Sequence, residues 1–199
     1  MDVDMGRTSR VGRSKTPAAD RILRAASEMF YREGIRAVGV DAIAAGADVT
    51  KKTLYEKFGS KDRLVAAYLR ARDERWRSWL VGVVERRGGT AGERLLSTFD
   101  ALEEWMEREN PRGCGFVNAA AELPHADHPA RVVVMEQKMW MREYLAELAV
   151  EGGADNPEDL AERLVILHEG ATVAYSLGMA EDAAQKARQI AAHLVADLQ

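Results

Sequence analysis

The stretch "VTKKTLYEKF", residues 49–58, gathers three lysines, two threonines and a tyrosine within ten residues. Ammonium groups supply charge and hydroxyls supply directed donors, so the chemistry on offer is contact with an anion. Other reactive residue types are sparse. His125 and His128 flank Asp127 in "PHADHP", but a metal needs more ligands held in fixed geometry, so the segment reads as a turn and no metal is expected. Cys114 is the single cysteine, which rules out an intramolecular disulfide and a cysteine-built zinc site. It reads as a small, half-buried residue between glycines; redox sensing would need an activating cation, and Arg112 is close in sequence. No nucleophile-base pairing and no Gly-rich phosphate loop ahead of a helix is present, so neither catalysis nor a cofactor is expected.

The lysine strip needs elements to position it. As a helix, it puts Leu54 and Phe58 on one face, with Thr50 as the cap and Gly59 as the stop. Upstream, Thr16-Pro17 opens a helix with a buried stripe of Ile22, Ala25, Ala26, Met29 and Phe30, ended by Gly34. A short helix over about 40–45 buries Val40, Ile43 and Ala44. The tight turn "GADVT" follows, in which Asp48 tolerates a left-handed backbone. Three helices, the last two short and closely joined, make a helix-turn-helix unit. Its final helix can enter a major groove about 12 Å wide. Leu54 and Phe58 then hold the strip to its own domain, and Lys51, Lys52, Thr53 and Tyr55 face DNA.

Charge is distributed to match. The net charge is −4, yet residues 1–63 hold 13 basic against 9 acidic residues, a balance of +4, and the remainder stands at −8. A basic end on an acidic body suits a polyanionic partner. Apolar residues make up 47% and charged residues 30%, an ordinary globular composition. No apolar run approaches the roughly 20 residues of a membrane span. Arginines near the N-terminus have no apolar segment behind them, which argues against a secretory signal and for a cytoplasmic location.

β-branched alternation is scarce, and the pattern beyond residue 60 predicts six more helices, about nine in all. Ser60 caps a long one over about 61–86, and Thr90 with Glu93 forms a capping box for the next. The fold class is therefore all-α. The domains expected are a disordered basic arm over 1–15, a DNA-binding unit over 16–62 and a second helical domain over 63–199.

The segment "ILRAASEMFYREGIRAVGVDAIAAGADVTKKTLYEKFGSKDRLVAAYL" resembles the N-terminal signature of the tetracycline-repressor (TetR) family of bacterial regulators. Order, spacing, the Leu54-Tyr55 pair, Phe58 and Lys61 all coincide. The resemblance implies a homodimer whose last two helices pack with their mates, a small-molecule effector among the central helices, and a palindromic operator in double-stranded DNA. Carried over by position, Thr50, Lys51, Lys52, Thr53 and Tyr55 lie on the recognition helix, and Tyr55 and Lys61 each meet a phosphate. Three positions depart from the family's habit. Gly39 stands where a Ser or Thr often caps the second helix, Asp48 where Gly is frequent, and Lys52 where a small residue is common.

In the second domain, Trp76, Leu102, Trp105, Phe116, Met139, Trp140 and Tyr175 are candidates for an effector pocket, with Asn118, His168 and Thr172 as its polar groups. Each also reads as plain core. Arg72, within an apolar stripe, reads as pairing with an interdomain carboxylate or an acidic ligand. For the dimer seam, Ala171, Ala183 and Ala187 would let backbones approach, while Leu160, Leu164, Ile190 and Leu194 supply buried area. A ligand-responsive repressor is the expected function; the alternative is a helical enzyme or sequestering module with an incidental basic N-terminus.

Overall fold

The computed structural model describes residues 17–109, 111–123, 125 and 127–198; the expected basic arm lies outside them. Nine helices and no strand occur among the described residues: α1 Ala18–Glu33, α2 Val40–Gly46, α3 Lys51–Phe58, α4 Lys61–Arg87, α5 Ala91–Glu109, α6 Gly115–Glu122, α7 Pro129–Glu151, α8 Pro157–Ser176 and α9 Ala183–Leu194.

Side chains start most of these helices by satisfying amides that have no intrahelical partner. The Thr50, Ser60 and Asn156 side chains accept from the amides three residues on, at 3.1–3.2 Å. Thr90 and Glu93 bond reciprocally, the Glu93 carboxylate accepting from the Thr90 amide at 2.8 Å and Thr90 Oγ1 from the Glu93 amide at 3.3 Å. Two starts differ from expectation. Pro17 is the cap of α1 rather than its first residue. His128, read as part of a plain turn, caps α7 by accepting from the Ala130 amide at 3.1 Å.

Two cores form along the molecule. The first joins Ile22, Phe30, Ile43, Leu54, Leu64 and Leu69. It also takes Phe116, Ala119 and Val133 from α6 and α7, so the core of the first three helices extends into part of the second domain. The second core holds Trp76, Leu80, Phe99, Trp105, Leu145 and Leu164. α4 runs through both, and the division falls at Arg72 and Asp73, which are buried. The Arg72 guanidinium donates to the Glu109 carbonyl at 2.9 Å and lies 4.4 Å from the Tyr31 ring centre. This acceptor is a backbone oxygen.

Five of the seven residues read as a dimer seam, Leu160, Leu164, Ala171, Ala183 and Ala187, are buried in this single chain's own core. Leu194 is partly buried against that core. The small alanines let α8 and α9 pack on each other and on α5 within one chain. Of the seven, Ile190 stands outward, 54% exposed, alongside Ile166 and Leu177 of the opposite α8 stripe at 70% and 69%.

Candidate functional site

The outer face of α3 is assembled by a buried anchor, a clamped turn and a cap. Leu54 is fully buried, a contribution of roughly 1.5–3 kcal/mol. Asp48 takes the left-handed conformation at φ 52°. The Arg21 side chain donates from Nε to the Ala47 carbonyl at 2.9 Å and from its terminal nitrogen to the Asp48 carbonyl at 3.1 Å. α1 thereby pins the α2–α3 turn, a role for Arg21 not evident in the sequence. Only three-dimensional proximity across 26 residues reveals it.

Around that anchor, Thr50, Lys51, Lys52, Tyr55 and Lys57 are exposed, and Thr53 is half-buried with its hydroxyl 2.9 Å from that of Thr50. Lys51 reaches back to Asp41 of α2 at 3.0 Å, and this hydrogen bond raises its pKa above the usual lysine value. The pair is solvent-exposed, so an incoming anion displaces it at little cost. Lys52 is freer, its side chain 86% exposed and 3.9 Å from Glu56. Tyr55 is exposed, with no hydroxyl partner among the described residues. Lys61 opens α4, half-buried, with its ammonium 6.0 Å from the Phe30 ring centre. Gly39 caps α2 at φ −85°, and a Cβ there would meet nothing within 4 Å. Neither backbone nor space demands glycine at this position.

A small cavity of about 50 Å³ lies between α4, α5, α7, α8 and the start of α6. Six of the expected pocket residues line it: Trp76, Leu102, Trp105, Phe116, His168 and Thr172. Trp76 and Trp105 meet edge to face, with ring centres 5.4 Å apart. Four others lie elsewhere. Asn118 is exposed and donates to the Arg112 carbonyl at 2.9 Å. Met139 faces outward, 49% exposed. Trp140 stacks on Tyr144 and carries Arg77 4.6 Å from its ring centre. Tyr175 packs, half-buried, on the second core. α7 and α8 are apolar on more than one side, so periodicity alone did not select their inward faces.

The cavity also takes residues that sequence reasoning passed over, Gln137, Lys138, Met141, Glu169 and Gly115, together with Arg72, which it had read as pairing with a carboxylate or an acidic ligand, and Cys114. The Lys138 ammonium donates to Glu169 at 2.5 Å and to the Cys114 sulfur at 3.4 Å. Burial opposes its charge, but the neighbouring sulfur and carboxylate outweigh that, and its pKa is raised. Their separations of 24 and 31 residues leave no local signature. His168 is buried. Desolvation first, and then the Lys138 charge, push its pKa down to about 3, so the ring is neutral. The Thr98 hydroxyl donates to the Leu95 carbonyl at 2.6 Å and therefore accepts from His168 Nε2, 2.9 Å away. His168 is thus a satisfied core histidine at the cavity's edge. At Gly115 a Cβ would meet Arg72 Nε at 2.8 Å, so glycine allows α6 to approach α4 closely.

An exposed, capped helix bearing lysines on a clamped turn, joined to a helical body with a small interhelical cavity, is the layout of a one-component regulator. The family model "Bacterial regulatory proteins, tetR family" matches residues 22–68, and "Tetracyclin repressor-like, C-terminal domain" matches residues 91–191. The chain belongs to the TetR family. It is a DNA-binding transcriptional regulator of that family. A TetR-family regulator from Streptomyces coelicolor is 30% identical with a TM-score of 0.83, the alignment covering 91% of this chain and 95% of that one. A putative TetR regulator from Streptomyces avermitilis is 28% identical at a TM-score of 0.78, covering 92% and 100%. Among characterised sequences, the transcriptional repressor KstR2 of Mycolicibacterium smegmatis is 29% identical over 142 residues, 68% of this chain and 65% of its own length. The TetR fold here thus matches its relatives over both halves, and no helix among the described residues is long and apolar enough to cross a membrane.

Proposed function

We propose that this TetR-family protein is a repressor that holds a palindromic operator as a homodimer and releases it when a small apolar or amphipathic molecule enters the cavity. The observation that carries the reading is the outward face of α3, where Lys52 and Tyr55 stand exposed above the buried Leu54. A helix of eight residues is about 12 Å long, the width of a major groove. Lys51, Lys52 and Thr53 are the base readers. Tyr55, Lys61, the Thr50 hydroxyl and the Gly39 amide position the phosphates. Residues 16–62 act as the head and residues 63–199 as the effector and dimerisation body. The outward stripes of α8 and α9, with Ile166, Val173, Leu177 and Ile190 exposed, are the faces offered to the second copy. A similar regulator named as a repressor supports the sign of the response.

The switch follows from the size of the cavity. About 50 Å³ admits a few waters, far below the 300–1,000 Å³ of sites for drug-sized ligands. A larger effector enters only by moving the walls. Two of those walls lead to the head: α4, and the α6 segment whose Phe116 belongs to both the cavity lining and the first core. Recognition helices must sit about 34–36 Å apart to reach successive grooves. Displacing either wall spoils that spacing, at a coupling of typically about 1–3 kcal/mol.

Selection of bound duplexes from a random pool by the purified protein tests the reading, with sedimentation of the complex. Enrichment of a palindrome held by an even number of chains supports it. A pool that stays random contradicts it.

A further inference from the structure

A cavity proposed for reversible effectors also contains the elements of a covalent sensor. Cys114, the single cysteine of the chain, is half-buried, lines the cavity and occupies the cap position of α6. Its side chain caps no amide, so the sulfur is uncommitted to the helix. The Lys138 ammonium donates to that sulfur at 3.4 Å and is itself held by Glu169. An ammonium and a helix N-terminus both favour the anionic, nucleophilic form of a thiol. A second observation marks the same space as built for an occupant. Gln137 lines the cavity, is 4% exposed, and its amide oxygen is buried without a hydrogen-bond partner. Such an orphan acceptor is costly, and an occupant carrying an N–H or O–H satisfies it. Trp76 and Trp105 supply an aromatic wall.

We propose that Cys114 is a covalent sensing site for small conjugated carbonyl electrophiles that carry a hydrogen-bond donor, with Lys138 as the residue that activates the thiol. In the step, the sulfur pair forms an S–C bond to the β-carbon of the alkene. The alkene π pair moves to the α-carbon, which takes up one proton in place of the one the thiol releases. No oxidant or reductant is needed. Lys138 retains its proton and acts through its hydrogen bond alone.

The adduct has a direct line to the head. Next to Cys114, the Gly113 carbonyl accepts from the Tyr31 hydroxyl at 3.1 Å. The Tyr31 hydroxyl oxygen in turn accepts from the Arg112 amide at 2.9 Å, and the Arg112 side chain donates to the Tyr31 carbonyl at 3.2 Å. At the far end of α6, the Glu122 carboxylate accepts from the Arg36 amide at 2.8 Å. The segment bearing Cys114 is therefore fastened at both ends to α1 and the loop after it. A group added at the sulfur pushes α6 away from the cavity and strains those fastenings. This sensing role rests on the regulator reading above, whereas the reactivity of the thiol stands apart from it.

Maleimide, which has both the conjugated carbonyl and an N–H, is the probe, and intact mass reports adduct formation at the lone cysteine. At neutral pH the folded protein is expected to react at least about tenfold faster than the same chain unfolded in guanidinium, despite its partial burial. Lys138→Gln should lose that advantage and Lys138→Arg should keep most of it. A folded chain slower than the unfolded one, or an undiminished rate in Lys138→Gln, overturns the assignment. Should Lys138→Gln fail to fold, the folded-against-unfolded comparison decides alone. For sensing, the fully modified protein should bind the selected duplex at least about fivefold more weakly than untreated protein. Cys114→Ala, whatever its own affinity, should not change on treatment. Unchanged binding by fully modified protein overturns the sensing role. Untreated protein that binds no duplex fails the regulator reading instead, and the rate comparison still decides the chemistry.

Discussion

The lysine face of α3 and the polar wall of the cavity use similar residue types in opposite ways. On α3 the charged groups point outward from one short helix, and their bonds within the chain are few and exposed, such as Lys51 to Asp41. In the cavity Lys138, Glu169 and Cys114 come from α7, α8 and the edge of α6, and the Lys138 ammonium donates to both of the others. Exposed charges are cheap to hold and free to exchange partners. Half-buried ones, such as Lys138 and Glu169, are held by a partner on another element. The first surface is therefore suited to a large, interchangeable polyanion, and the second to something small that competes for existing bonds.

Substitutions on the two stripes of α8 and on α9 test the inward-outward distinction most forcefully. Leu164 is fully buried, so Leu164→Glu places an unpaired carboxylate in the core and should cost several kcal/mol, seen as loss of cooperative melting. Ile190→Glu on the outward face should leave the chain folded yet monomeric in sedimentation. A dimeric Ile190→Glu would move the interface off this face.

His168 gives the next largest effect. Its folded pKa of about 3 lies below the ordinary 6.5, so below pH 6.5 the unfolded chain binds a proton that the folded chain refuses. Stability should thus be full above about pH 6.5 and fall by up to about 1.4 kcal/mol per pH unit toward pH 3. The midpoint of denaturant unfolding across that range measures it, and His168→Gln should flatten the dependence attributable to this group.

Smaller effects belong to the outer face. Lys52→Ala should relax preference at one base step per half-site by roughly 1–3 kcal/mol, read by repeating the duplex selection. An unchanged profile would make Lys52 a solvated residue. Lys61→Ala should weaken all duplexes alike and flatten the plot of log K against log salt by about 0.9 for each phosphate left without its cation. A change in base preference would contradict its assignment to the backbone.

How far the sequence revealed each region follows from the range of its interactions. Thr50, Leu54, Phe58 and Gly59 announce α3 because cap, anchor and stop lie within ten residues, and the left-handed Asp48 follows from the tight turn. The Thr90–Glu93 capping box and the prolines at 129 and 157 marked α5, α7 and α8 for the same reason. Cavity residues were legible where one apolar stripe faced inward, as at Trp76, Leu102, Trp105, His168 and Thr172. Lys138 and Glu169 stand on helices apolar on several sides, and nothing local distinguishes the inward side from the outward one. The alanines of α8 and α9 are ambiguous for a related reason: small residues permit close approach without saying whether the approaching helix belongs to the same chain or another.

The central claim is that the outer face of α3 holds DNA and is tied to the cavity through α4 and the Tyr31 fastening. Amide hydrogen exchange of the whole protein, with and without the selected duplex, tests both parts in one measurement. The account predicts increased protection concentrated in residues 39–61, accompanied by a change at 111–116, where the fastening meets the cavity. Protection confined to the second domain, or a head that responds while 111–116 stays unchanged, would contradict it.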